Sequence, residues 1–161
     1  MMNPLIVLAL FIILASNATA KQENIEPSCN TFSIIKSGSS SGLNTPLKTI
    51  INNNADWISI WKKIDFSGST PPPINFIKFN LAVVSLGNKS TGGFSVEIDR
   101  IDCSDEKTQI YIKERSPNHG ERLTKKQVVT LENSQPYIVI KIKKPFQKIY
   151  FITEPSNSAP P

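Results

Sequence analysis

Few residues in this chain have the type and spacing to do chemistry. Bond-breaking on side chains needs a nucleophile beside a base, a metal centre or a working pair of carboxylates. There is a single histidine, His119, in the run Pro117-Asn118-His119-Gly120. It is the only candidate base for a Ser or Cys nucleophile, and a loop of that composition faces solvent by default. Asp99, Asp102, Asp105 and Glu106 form a small acidic group. Oxygen ligands suit calcium, but the EF-hand spacing is missing and Arg100 and Lys107 intrude, so the group reads as an ordinary charged turn. The polar run Ser37 to Gly42 lacks the Lys-Ser/Thr that a phosphate-cradling loop requires. Lys141, Lys143, Lys144 and Lys148 are the densest basic run, without the stacking aromatics of a nucleic-acid groove. On a strand, Lys141 and Lys143 share a face opposite the neighbouring isoleucines, as expected of a solvated sheet face or an edge. The inventory therefore predicts no catalytic residue, no metal, no cofactor and no nucleic-acid partner.

Two cysteines, Cys29 and Cys103, complete the reactive residues. Whether they can pair depends on where the chain is sent. Leu5 to Ala15 is an unbroken apolar run, followed by small residues at Ala18 and Ala20 and then Lys21. That is the layout of a secretory signal peptide, although its first residues carry no Lys or Arg. The run is shorter than the roughly 20 residues needed to cross a bilayer, so no transmembrane anchor is expected. Cleavage after Ala20, with Ala18 as the alternative, would release a periplasmic or secreted protein. In an oxidising compartment a Cys29–Cys103 bridge would close a loop of about 74 residues and add about 4 kcal/mol. The sequence alone leaves paired and separate thiols equally open.

The elements that would hold these residues are short. The chain has 161 residues, 12 of them proline, with a net charge of +5, which suits one turn-rich domain. Residues 21–30 form a polar lead-in. Phe32 to Ile35 and Leu47 to Ile51 read as strands. A helix is predicted over 55–64, capped by the asparagines 52–54, with Asp56 in its first turn and Lys62 and Lys63 in its last. Trp57, Trp61 and Ile64 fall on one face, so the tryptophans are expected in the core. Pro71-Pro72-Pro73 then breaks the chain as a stiff connection. From Phe76 the period becomes two: Ile77, Phe79, Leu81 and Val83, then Val84 and Leu86 making both faces apolar as in a central strand. Phe94, Val96 and Ile98 start a half-buried strand after Gly92-Gly93, and Ile101 breaks its parity, which predicts a bulge or a crossing to the other face. Ile110 and Ile112 mark the return strand. Short strands follow at 128–131, Tyr137 to Ile142 and Ile149 to Ile152, before a Pro/Ser-rich tail at 153–161. The fold class expected is α+β, a mostly antiparallel sheet of about six or seven strands with one short helix packed on it.

Several of these landmarks occur together in one known family. They are the Trp57/Trp61 helix, Asn75-Phe76 before a strand, Gly87, the run Thr91-Gly92-Gly93-Phe94-Ser95-Val96-Glu97-Ile98, and Pro136-Tyr137 opening a late strand. In these the chain resembles the C-terminal domain of the protease-complex subunit PrcB, over about residues 31–152. It departs from the family at Asn75-Phe76, where Asp-Phe is frequent. The resemblance implies an exported accessory protein that associates with and stabilises a protease complex, and it carries over no catalytic residue. The glycine pair has its own physical reading as the shaper of a hairpin. The function expected is therefore a non-enzymatic binding protein with a protein partner. A secreted protease inhibitor presenting Pro71–Pro73, or a hydrolase of unrecognised type, are the alternatives.

Overall fold

Strict two-residue alternation buries one face of a strand, whereas runs apolar on both faces need cover on both sides. Both kinds are present, and they sort the chain into layers. The structure, a computed structural model, describes residues 31–104, 106–117, 132–144 and 148–154. It contains strands β1 (Phe32–Gly38) and β2 (Pro46–Ile51), helix α1 (Asn54–Ile64), and strands β3 (Phe79–Leu86), β4 (Ser95–Cys103), β5 (Lys107–Arg115), β6 (Tyr137–Lys143) and β7 (Lys148–Glu154).

The seven strands form two sheets, not the single sheet expected: one of four in the order β1-β6-β3-β2 and one of three in the order β4-β5-β7. The first is antiparallel throughout, whereas β5 and β7 run parallel. The physical reason lies in β3 and β6, which are apolar on both faces. Ala82, Val84 and Leu86 of β3 and Ile138, Ile140 and Ile142 of β6 meet Val96, Ile98, Ile101, Ile110 and Ile112 of the second sheet. Leu81 and Val83, with Tyr137 and Val139, meet Trp57, Trp61 and Ile64 of α1. The four-stranded sheet is thus the middle of three layers, with the helix on one face and the other sheet on the opposite face.

Local expectations fare well. Asn53 caps α1, its side chain accepting from the Asp56 N–H at 2.9 Å. The β4–β5 ladder shifts register between Ile98 and Arg100, the first of the two readings that the parity of Ile101 left open. Two boundaries move. Phe76 to Lys78 belong to a turn built on Asn75, whose carbonyl accepts from the N–H groups of Lys78 and Phe79. Ile77 therefore lies outside β3 and is 86% exposed. At the other end β7 continues to Glu154, two residues into the stretch expected to fray. The basic residues Lys141 and Lys143 sit on β6, which lies between β1 and β3 and is not an edge. The strand expected at 128–131, His119, Asp105, Cys29 and the apolar run Leu5 to Ala15 all lie outside the described residues. Among the described residues, no helix is long and apolar enough to cross a membrane.

Candidate interaction surface

The two tryptophans are core residues with a second job. Trp57 is fully buried and Trp61 nearly so, and their rings meet edge to face with centroids 5.1 Å apart. A buried indole N–H must find an acceptor. Trp61 donates to the Ser69 carbonyl at 2.9 Å and Trp57 to the Pro72 carbonyl at 3.0 Å. Donors one turn apart on α1 thus hold acceptors three residues apart in the following segment. That segment therefore runs back along the helix, antiparallel to it. Pro71 and Pro72 are half-buried in this arrangement, and Pro73 is exposed.

The return begins at a rigid corner. Asp65, just past α1, accepts from the hydroxyls of Ser67 and Ser69 at 2.7 and 2.8 Å and from the Ser69 N–H at 3.1 Å. Its other carboxylate oxygen pairs with Lys36 of β1 at 2.5 Å. The Lys36 ammonium also lies 4.8 Å from the centroid of the Trp61 ring. The Lys36 hydrogen bond first, then those from Ser67 and Ser69, hold the Asp65 carboxyl well below the usual carboxylate range. Tyr137 closes the corner by donating to the Ile64 carbonyl at 3.2 Å; burial raises its phenol pKa, so it stays a donor. Within this fixed loop Phe66 is 70% exposed.

The sign of the Asp65 effect follows from its lowered pKa. The carboxylate ionises at about pH 4 in an unfolded chain and lower in the folded one, so its contribution is complete above about pH 4 and is lost as the pH falls towards the folded value. Asp65→Asn is expected to melt several degrees below the parent at neutral pH, with the gap narrowing steadily on acidification. Thermal melts of both proteins across that range check this. A gap that does not change with pH would show that the charge is irrelevant.

The glycine run and Pro136-Tyr137 meet at the same end of the middle sheet. Lys89 bridges to Ser134, the Ser134 hydroxyl donates to the Thr91 carbonyl at 2.8 Å, and Leu86 N–H donates to the Pro136 carbonyl at 2.9 Å. Of the glycine pair, Gly93 has the left-handed backbone, φ 85°, and a Cβ there would stand 2.9 Å from Pro117. Phe94 lies under the Lys89 ammonium, 5.4 Å away, and precedes β4 instead of starting it. Trp57, Trp61, Gly93, Phe94, Pro136 and Tyr137 are thereby assigned architectural roles, while Gly92 stands next to Gly93 before β4.

Two members of the acidic group, Asp99 and Asp102, are taken up in ion pairs. The bulge turns Arg100 across the outer face of the second sheet, 3.6 Å from the Tyr111 ring centroid, to reach Glu154 of β7 at 2.7 Å. Asp99 pairs with Arg100 and Lys113, and Asp102 with Arg100. Both aspartates are thus engaged by cations of their own sheet. Sequence reasoning missed the Lys36–Asp65 and Arg100–Glu154 pairs, because only the strand order brings these partners together. Cys103, at the end of β4, packs half-buried against the inter-sheet core.

These layers define a helix-backed, two-sheet α+β domain with hydrogen-bonded turns at Asp65 and at Asn75. Residues 81–143, from β3 to β6, match the family model described as PrcB C-terminal. The resemblance read from the sequence is shown over that stretch, which excludes β1, β2, α1 and β7. No curated protein and no solved structure matches the chain.

Proposed function

We propose that this chain is an exported, non-enzymatic accessory protein that binds a protein partner outside the cytoplasm and assists a protease complex. The match of residues 81–143 to the PrcB C-terminal family carries the reading. Export rests on the apolar run Leu5 to Ala15 and the small residues before Lys21. The absence of enzymatic activity rests on the sequence inventory and on the architectural use of the family's motif residues. Phe66 is a side chain well presented for contact: aromatic, largely exposed, and held on a loop whose serine hydroxyls bond to Asp65, so little ordering entropy is lost on binding. In an oxidising compartment Cys29 and Cys103 form a disulfide in this reading.

The test is co-purification from the exported fraction with and without crosslinker, comparing the parent with Phe66→Ser. A protein partner recovered with the parent and depleted with the variant supports the reading. Free monomer alone, or protein retained inside cells with residues 1–20 attached, overturns it. The inhibitor alternative predicts loss of protease activity at equimolar protein.

A further inference from the structure

At the end of the middle sheet opposite the glycine run and Pro136-Tyr137 lies a second exposed surface. The Asn75 turn places Phe76 against the helix-side core and turns Ile77 outward, with its N–H bonded to the Asn75 side chain at 3.0 Å. The turn's geometry is thus supplied by Asn75 and its packing by Phe76, which leaves Ile77 no structural task at 86% exposure. Three lysines lie on the turn or on the strands that flank it. Lys78 follows it directly. Lys144 donates its backbone N–H to the Lys78 carbonyl at 2.8 Å and reaches the Phe76 carbonyl with its ammonium at 3.5 Å. Lys141 lies over the half-buried Phe79 ring, its ammonium 5.0 Å from the centroid. Among the described residues none of these three takes part in an ion pair, in contrast to Arg100, Lys113 and Arg115 on the second sheet, which all do.

We propose that the Ile77 turn, with Lys78 and Lys144 on the turn and its neighbour and Lys141 over Phe79, docks the protein on an anionic lipid surface, with Ile77 entering the headgroup region. The reasoning is one of exposure and charge together. At 86% exposure Ile77 leaves nearly its whole side chain free for an apolar partner. A bilayer interface accepts an exposed apolar residue and rewards the nearby amines with attraction to anionic headgroups. One isoleucine without the lysines would be unremarkable on any surface, and lysines without the isoleucine would give only salt-sensitive attraction. The inference is independent of the protease-complex reading.

The experiment is cosedimentation of the chain from Lys21 onward, which retains every described element. The probes are mixed phosphatidylglycerol–phosphatidylcholine vesicles and pure phosphatidylcholine vesicles. Binding to the mixed vesicles alone is expected, released by high salt. Ile77→Ser should weaken it about tenfold, and Lys78→Gln with Lys144→Gln by at least as much. Lys62→Gln with Lys63→Gln removes the same charge from the opposite end of α1 and should leave binding nearly intact. No binding to mixed vesicles, equal binding to both kinds, or equal losses in the two lysine pairs would overturn the proposal.

Discussion

Trp57→Ala should lower the folding free energy by about 3–5 kcal/mol, the range for truncating a fully buried aromatic side chain. Trp57 is 0% exposed and lies among Leu81, Val83 and Val139 of the middle sheet. It is also the clasp of the return segment, through its bond to the Pro72 carbonyl. Two losses are therefore expected together, a cavity between helix and sheet and an unfastened loop. Trp57→Phe separates them. It keeps most of the buried ring and removes only the N–H, so it should cost about 1 kcal/mol for the hydrogen bond plus a smaller packing loss. Denaturant unfolding followed by circular dichroism gives both values, and the order Ala worse than Phe is the expected result. Comparable costs would mean that the loop clasp, and not the packing, dominates.

Ile140→Asp should be worse still, costing about 4 kcal/mol or more, because it puts an unpaired carboxylate between two sheets. Ile140 is 0% exposed within the inter-sheet core. Losses of that size remove much of the roughly 5–15 kcal/mol that holds a domain folded, so little soluble native protein should be recovered. Its partner across the β1–β6 ladder is Ile34, which is 57% exposed. Ile34→Asp should cost only about 1 kcal/mol or less, as a surface change. The two positions are adjacent on the same face of one sheet, so their difference reports where the cover of the second sheet ends. Similar costs at both would contradict the layer arrangement.

These residues show how far the sequence could be read. Short-range signals were legible because each has a local cause. The asparagine cap, the tryptophan face of α1, the both-faces-apolar character of β3 and the bulge before Ile101 all follow from side chains a few positions apart. What was not legible depends on strand order. Alternation in β4 and β5 shows that one face is buried but not against which layer, so two sheets read as one. The parallel pairing of β7 has no local signature, because a strand of Ile and Phe looks alike in either direction. Ile77 continued the alternation of β3 by residue type, while Asn75, two positions earlier, had already committed it to a turn. Of the candidate surface, the tryptophans were legible as core. Their hold on Ser69 and Pro72 was not, nor was the pairing of Lys36 with Asp65, since nothing in sequence spacing links residues on a strand and past a helix.

The ladder between β1 and β6 has a consequence for how the chain comes to be folded. Phe32 faces Ile142, so the first strand finds its neighbour only after most of the chain has been synthesised. Contacts this distant in sequence close late and slow the search for the native state. Until β6 arrives, β3 is left with one apolar flank and a bare strand edge, a state prone to sticking to other chains. A chaperone that holds β3 during that interval would raise the yield of native protein without altering its final stability.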